Sequence, residues 1–227
     1  MTIGVKILAL DCEVANNIVT NEDLTKILDT SDEWITTRVG IKERHILKDP
    51  SKGSSYMGIQ AINKLLAETG IDASEIEMLI CATSNPDYRF PSTASVMIYE
   101  CGLKNAYGYD VQAACAGFIV AAQAARAYVM SGLYKKVLVV CAEKMSSMTD
   151  YTDRATCPLF GDAATAVLIE PTEENVGIMD GEFHVDGSGL PTLSIRQVAR
   201  LVRHRMRQST LVSTTSTKRV VLSIVMQ

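Results

Sequence analysis

The sequence has no pair of cysteines spaced as Cys-X-X-Cys and no cluster of cysteine with histidine. Its six cysteines are scattered along the chain, at positions 12, 81, 101, 115, 141 and 157. A structural zinc site needs closely spaced ligands, and a disulfide framework is typical of small secreted domains. We therefore expect neither a metal ion nor disulfides, and reduced thiols predict a cytoplasmic location.

Long hydrophobic runs are also absent. The first residues, MTIGVKILALDCEVANN, form a short apolar run with a lysine inside it, and no later stretch reaches the length of a membrane span. We therefore expect neither a signal peptide nor a membrane partner. The 227 residues are 47% hydrophobic, which is enough to bury a sizeable core.

Acidic residues are missing from residues 190–227, which hold seven of the 22 lysines and arginines. All 26 acidic residues therefore lie in the rest of the chain, together with fifteen basic ones. Such a change in charge is typical of a segment that is foreign to the preceding fold. We predict one unit over residues 1–193 and a basic tail over 194–227, with no nucleic acid as a partner.

Periodicity along the chain predicts alternating strands and helices. The expected strands cover residues 3–10, 78–82, 107–111, 137–142, 161–170 and 176–185. The expected helices are one from an Asn21 cap to Leu28, one from Ser31 to before Gly40, one over 54–69, one from Ser92 and one from Gln112. Elements of these lengths indicate an α/β layered fold.

The strongest chemical candidate is Cys115, in the stretch YGYDVQAACAGFIVAAQAARAYVMSG at 107–132. Small neighbours leave room for a substrate beside the sulfur, and a helix start favours an anion there. Both properties are typical of a nucleophilic thiol. On spacing alone, however, a cysteine flanked by alanines is more often a small core residue.

Three segments together resemble one family: VQAACAGF at 111–118, TSDEWITTRVGIKERHI at 30–46 and FGDAATAVLIE at 160–170. They resemble β-ketoacyl-acyl-carrier-protein synthase III, a condensing enzyme of the thiolase superfamily, in order and approximate spacing. The resemblance covers about residues 3–193. It implies a thiolase-like layered fold, of which this chain supplies one of two αβ halves. It also implies an acyltransferase that condenses a short acyl-coenzyme A with malonyl carrier protein to start fatty-acid synthesis.

The resemblance also implies roles for single residues. Cys115 would be the nucleophile, Phe160 would line the coenzyme A tunnel, and Phe90 would close the acyl pocket of a partner subunit. Four residues would contact coenzyme A at the tunnel mouth: Thr30, Trp34, Arg38 and Arg154. The implied partners are acyl-coenzyme A, acyl carrier protein and a second copy of the chain, with no permanently bound cofactor. Without the resemblance, Trp34 would be interpreted as a core residue and Arg38 as a surface ion-pair partner.

The resemblance stops after residue 193. The family completes its site with a histidine and an asparagine from its second half, and we expect this chain to lack both. His45, His184 and His204 do not stand in that context. The chain is therefore expected to be incomplete and inactive in condensation, with the tail an aberrant continuation or a basic amphipathic helix. Two alternatives remain: a related polyketide or quinolone acyltransferase, and a non-catalytic fragment.

Overall fold

The computed structural model describes residues 4–174 and 176–189. Its strands are β1 (Gly4–Val14), β2 (Asn17–Thr20), β3 (Glu43–Ile46), β4 (Met78–Ala82), β5 (Tyr107–Val111), β6 (Val137–Lys144) and β7 (Asp162–Thr172). Its helices are α1 (Asn21–Thr25), α2 (Asp32–Val39), α3 (Ser54–Thr69), α4 (Thr93–Glu100) and α5 (Gly117–Met130). The alternation confirms the predicted α/β class.

Five strands form one mixed sheet in the order β1-β7-β6-β4-β5. β5, β4 and β6 are parallel to one another, whereas β7 is antiparallel to both β6 and β1. The carboxyl ends of the three parallel strands therefore lie at one edge of the sheet. A second, two-stranded sheet pairs β2 with β3 antiparallel, and the sequence had not predicted it.

Helices cover both faces of the large sheet. α3 and α4 pack on one face, where Leu79, Cys81 and Leu138 are buried against them. α5 packs on the other face, against Ile80 and Val139. Because every residue of β4 is buried, the continuous apolar sequence of this strand is explained by cover from two sides.

The side of α5 that faces away from the sheet carries exposed apolar residues. Phe118, Ile119 and Met130 on this helix are exposed, by 58% at Ile119. An exposed apolar patch of this kind is typical of a surface that contacts another protein segment.

The start of α1 differs from the expectation. The cap is Thr20, whose hydroxyl accepts a hydrogen bond from Asp23 N at 3.2 Å, while the Asp23 carboxylate accepts from Thr20 N at 3.1 Å. Asn21 is instead the first helical residue, and its side chain is buried. The reciprocal pair satisfies two backbone donors at once, so it caps the helix one residue earlier than predicted.

The strand predicted over residues 176–185 is wrong. Only an isolated bridge joins Gly177 to Val5, where Ile178 N donates to Val5 O at 2.8 Å. The next carbonyl groups, of Ile178 and Met179, accept hydrogen bonds from the Arg126 guanidinium at 2.9 and 2.6 Å. The carbonyl groups of Ile178 and Met179 are therefore bonded to a side chain of α5 and not to a strand partner.

Several expectations concern residues outside the described ranges. The predicted boundary at 193, the basic tail at 194–227 and His204 all fall there. Among the described residues, no helix is both long and apolar enough to span a bilayer.

Asp110 joins β5 to α4, and we expect it to stabilise the folded state. Its carboxylate accepts hydrogen bonds from Thr93 N at 2.7 Å and Ala94 N at 2.8 Å, at the start of the helix. We expect Asp110→Ala to lower the free energy of unfolding by about 2 kcal/mol, because both charge-assisted bonds are lost. Urea denaturation measures the change. Asp72→Ala is the matched control, since it removes a cap from an exposed three-residue turn. Equal midpoints for the two variants would contradict the prediction.

Candidate active site

Cys115 lies in a sharp turn between β5 and α5. The turn is a short 3-10 segment over Ala114–Ala116, and α5 begins only at Gly117, so the helix predicted from Gln112 starts five residues later. Ala114 has φ 45°, a left-handed conformation that is unfavourable for a residue with a side chain. This conformation interrupts any helix from Gln112. Strained backbone of this kind concentrates at functional sites.

The Cys115 turn is seated directly on the end of β4. A Cβ atom added to Gly117 would lie only 3.0 Å from Ala82 Cβ, so glycine permits the close approach. Thr83 N donates to Val111 O at 3.1 Å and ties the end of β4 to the end of β5. Cys115 therefore lies at the carboxyl edge of the parallel strands, where α/β proteins bind their ligands.

Exposure separates Cys115 from most of the other thiols. Cys115 and Cys12 are exposed. Burial raises the pKa of the four other thiols, to about 12 for Cys101: Cys81, Cys101, Cys141 and Cys157. Those four thiols stay protonated near neutral pH and are poor nucleophiles. The alternative that Cys115 is a buried core residue is wrong.

Trp34, Arg38 and Arg154 form a stack, here called the arginine–tryptophan stack. The guanidinium carbons of Arg38 and Arg154 each lie 4.4 Å from the centre of the Trp34 ring. Trp34 and Arg38 are on α2, and Arg154 is in the loop between β6 and β7. The structure thus brings together three of the four residues expected at a coenzyme A site. A planar ring beside two cations suits a ligand with an aromatic base and phosphate groups.

Local capping explains how α2 presents Trp34. The Ser31 hydroxyl accepts a hydrogen bond from Trp34 N at 3.0 Å, and Gly40 ends the helix with φ 72°. Both ends agree with the sequence prediction. Thr30, just before the cap, has a buried hydroxyl oxygen that finds no partner among the described residues. A buried hydroxyl without a partner is costly, which is compatible with a ligand contact.

The two phenylalanines lie in different settings. Phe90 is 86% exposed, in the loop between β4 and α4. Phe160 is half-buried, directly after the 3-10 turn Cys157–Leu159 and before β7. Their contribution to an acyl pocket and a tunnel therefore stays a prediction.

The small residues of GDAATAVLIE at 161–170 predict a strand that passes close to the Cys115 turn. The close approach in the structure is to β3. A Cβ atom at Gly161 would instead lie 3.2 Å from His45 O and 3.3 Å from Arg44 Cβ, both on β3. β7 pairs with β1 and β6, and two strands, β6 and β4, lie between it and β5.

Three charged residues near the site were missed, one half-buried (Glu143) and two buried (Asp162 and Arg44). Glu143, at the end of β6, accepts a hydrogen bond from Ser84 N at 2.6 Å, and burial raises the pKa of its carboxyl group. Asp162 and Arg44 are each at most 6% exposed. Two of the three lie inside quoted motifs, Arg44 in ERHI and Asp162 in FGDAA. Their presence in a motif was the one available signal, and it did not show what they contact.

His45 and His184 are the two histidines within the described ranges, and each contacts a group that has no role in the proposed chemistry. His45 Nδ1 lies 2.6 Å from Ala15 O, and His184 pairs with the exposed Glu182 at 2.8 Å. In the sequence, likewise, neither histidine stands in the family's catalytic context. Among the described residues, no group of three or more metal-ligating side chains is found.

The strand order, the two helix layers and the cysteine turn define a thiolase-like α/β fold. The family model described as 3-oxoacyl-[acyl-carrier-protein (ACP)] synthase III matches residues 109–187. The β-ketoacyl-[acyl-carrier-protein] synthase III 2 of Bacteroides thetaiotaomicron is 51% identical over 183 residues, which are 81% of this chain and 55% of that protein. Over the matched residues, the chain is similar in sequence to the β-ketoacyl-[acyl-carrier-protein] synthase III family.

Solved structures agree with this assignment. A β-ketoacyl-[acyl carrier protein] synthase III from Thermus thermophilus superposes with a TM-score of 0.80 at 40% identity, over 86% of this chain and 60% of that one. The priming β-ketosynthase of the R1128 polyketide pathway gives a TM-score of 0.77 at 33% identity, over 84% of this chain and 56% of that one. The chain thus spans little more than half the length of the relatives that it matches.

Proposed function

We propose that this chain carries the acyl-accepting half of a β-ketoacyl-[acyl-carrier-protein] synthase III, with Cys115 as the acceptor. The observation that carries the proposal is the exposed Cys115 thiol in a strained turn at the carboxyl edge of the parallel strands. The arginine–tryptophan stack in the same unit supplies a surface suited to a nucleotide. Coenzyme A thioesters join such a nucleotide to a reactive acyl group.

The first half-reaction moves the acyl group to the protein. The Cys115 thiolate attacks the thioester carbonyl carbon, forming a new carbon–sulfur bond and a tetrahedral intermediate. Collapse of the intermediate breaks the bond to the coenzyme A sulfur, which leaves as a thiolate and takes a proton. The products are an acyl-Cys115 thioester and free coenzyme A. The backbone N–H of Cys115 is the proposed oxyanion donor.

The second half-reaction forms the carbon–carbon bond. Malonyl carrier protein loses carbon dioxide, and the electron pair of the broken bond makes an enolate. The enolate carbon attacks the acyl carbonyl, Cys115 leaves as a thiolate, and the β-ketoacyl carrier protein is released. The enolate oxygen needs fixed hydrogen-bond donors. By resemblance these are the histidine and asparagine of the family's second half.

In this proposal the arginine–tryptophan stack binds the nucleotide end of coenzyme A. The adenine ring enters between the side chains of Trp34 and Arg154, which are now in contact, so the Arg154 side chain moves aside on binding while the backbone segments stay in place. Arg38 then faces phosphate, for which its planar guanidinium can donate two parallel hydrogen bonds. Thr30 adds a hydroxyl at the same end, and Phe160 lines the path to Cys115.

A second copy of the chain is the proposed partner of Phe90. The side chain is apolar and 86% exposed, so packing into another molecule would remove a large apolar surface from water. In this proposal it closes the acyl pocket of the other protomer and limits the length of the primer.

A polyketide-type acyltransferase is the second candidate. It is favoured by the TM-score of 0.77 to a priming β-ketosynthase of a polyketide pathway. Both candidates use the same Cys115 chemistry and differ in the primer and acceptor. Competition among acetyl, longer and branched acyl-coenzyme A, followed by profiling of acceptor carrier proteins, separates them.

Isotope-labelled acetyl-coenzyme A tests the proposal on the chain as it stands. We expect peptide mass spectrometry to find the acetyl group on Cys115. Cys12 is the matched control, because it is also exposed but lies on β1. Equal labelling of both cysteines, or no label on a Cys115 that iodoacetamide still alkylates, would contradict the proposal. Adding malonyl carrier protein should give no β-ketoacyl product if the second half is required.

A further inference from the structure

Arg44 is a buried arginine that links the two segments carrying the arginine–tryptophan stack. It lies on β3 and is 6% exposed. One terminal nitrogen, Nη1, donates to Val19 O at 3.0 Å. The other, Nη2, donates to Asn21 Oδ1 at 2.7 Å and to Pro158 O at 3.3 Å. A single guanidinium therefore contacts β2, α1 and the loop before β7.

On one side, the contacts continue to the helix of Trp34. The Asn21 amide nitrogen donates to Asp32 Oδ1 at 2.8 Å, in the first turn of α2, and to Ile41 O at 2.7 Å, just after that helix. Asn21 is itself 1% exposed. Arg44 is thus connected through one buried amide to both ends of α2, the helix that carries Trp34 and Arg38.

On the other side, the contact is with the segment of Arg154. Pro158 belongs to the 3-10 turn Cys157–Leu159, four residues after Arg154. Cys157 in this turn packs in a small core with Ile35 of α2, and Trp34 lies against that core. The Arg44 hydrogen bonds and this core together connect the backbone segments that carry the two sides of the stack.

The chemistry of Arg44 favours a geometric role over a stabilising one. All three of its acceptors are uncharged oxygens, and its Nε finds no partner among the described residues. Burial also lowers the pKa of its guanidinium. A buried cation without a charged partner costs free energy. Only the planar fork of arginine can reach three oxygens from two terminal nitrogens, which lysine cannot do.

We propose that Arg44 is a positioning residue that sets the spacing between the backbone segments carrying Trp34 and Arg154 and so prepares the stack for a nucleotide. The positioning of the stack by Arg44 does not depend on which ligand the stack binds. The effect on coenzyme A rests on the function proposed above. Arg44 itself touches neither the ligand nor Cys115 in this proposal.

Fluorescence tests the positioning role directly, because Trp34 is the only tryptophan in the sequence. We expect Arg44→Met to increase acrylamide quenching of Trp34 and to shift its emission. The affinity for coenzyme A should fall about tenfold, since small misplacements of binding groups are costly. Alkylation of Cys115 by iodoacetamide should keep its rate. Arg44→Lys keeps the charge without the fork and should change Trp34 in the same direction.

Controls separate positioning from general loss of stability. Asp110→Ala destabilises the fold away from the stack and should leave Trp34 quenching unchanged. If Arg44→Met does not fold, Arg44→Lys and Asn21→Ser test the same link. Unchanged Trp34 quenching in every folded variant overturns the proposal. Altered quenching in a chain whose wild type does not bind coenzyme A supports the positioning role and overturns the proposed function.

Discussion

Asp162→Ala is expected to lower the free energy of unfolding by about 3 kcal/mol, because it leaves buried donors without their acceptor. The carboxylate is 1% exposed. It accepts hydrogen bonds from Leu47 N at 2.7 Å and from Ser146 N and Oγ at 2.8 and 2.6 Å. These donors belong to the segment after β3 and to the turn after β6, so one side chain joins three separate segments.

Graded replacements show whether the hydrogen bonds cause the loss. Asp162→Asn keeps one carbonyl oxygen and should lose less stability than Asp162→Ala. Asp150→Ala is the control, because that exposed carboxylate bonds only within its own turn, to Thr152. Urea denaturation gives the free energies. If Asp162→Ala and Asp150→Ala unfold at the same midpoint, the three buried bonds do not stabilise the fold as argued.

The sequence predicted those elements whose causes are local. α2 was found from its Ser31 cap and its Gly40 stop, and α3 from its periodicity and from Gly70, which adopts φ 68°. β4 was found from a continuous apolar run. In each case, residues within a few positions of one another determine the conformation.

Elements that depend on distant partners were missed or wrong. β2 and β3 form a sheet across some twenty residues of sequence that contain two helices, and neither strand has a strong pattern. In the segment 176–185, which was predicted as a strand, Arg126 instead donates to the carbonyl groups of Ile178 and Met179. The late start of α5 follows from the left-handed Ala114, a conformation that alanine itself does not indicate.

The residues of the candidate site also fall into those that the sequence identified and those that it missed. Cys115, Trp34, Arg38 and Arg154 were chosen from motifs, and the structure exposes the thiol and places the other three in one stack. The residues that support the site were not chosen. Arg44 reaches Pro158 across 114 positions, and Asp162 reaches Leu47 across 115. Pairings at such separations leave no local pattern, so only coordinates reveal them.

Trp34→Ala is expected to weaken coenzyme A binding by about thirtyfold, the equivalent of about 2 kcal/mol, because stacking on one base contributes on that order. The effect should be absent for pantetheine, which lacks the adenine nucleotide. Isothermal titration calorimetry measures both ligands, and Trp34→Phe, which keeps a smaller aromatic face, should lose less. A similar loss for pantetheine would place Trp34 away from the nucleotide.

Coupling between Trp34 and Arg154 decides whether the stack acts as one site. If adenine enters between them, each residue contributes only while the other holds the opposite face of the base. Trp34→Ala combined with Arg154→Ala should therefore weaken coenzyme A binding by clearly less than the product of the two single effects. Arg38 lies on the same ring but faces phosphate in the proposal, so Trp34→Ala with Arg38→Ala should be closer to multiplicative. Multiplicative losses in both pairs would mean that Arg154 and Trp34 bind independent parts of the ligand, and the sandwich arrangement would be wrong.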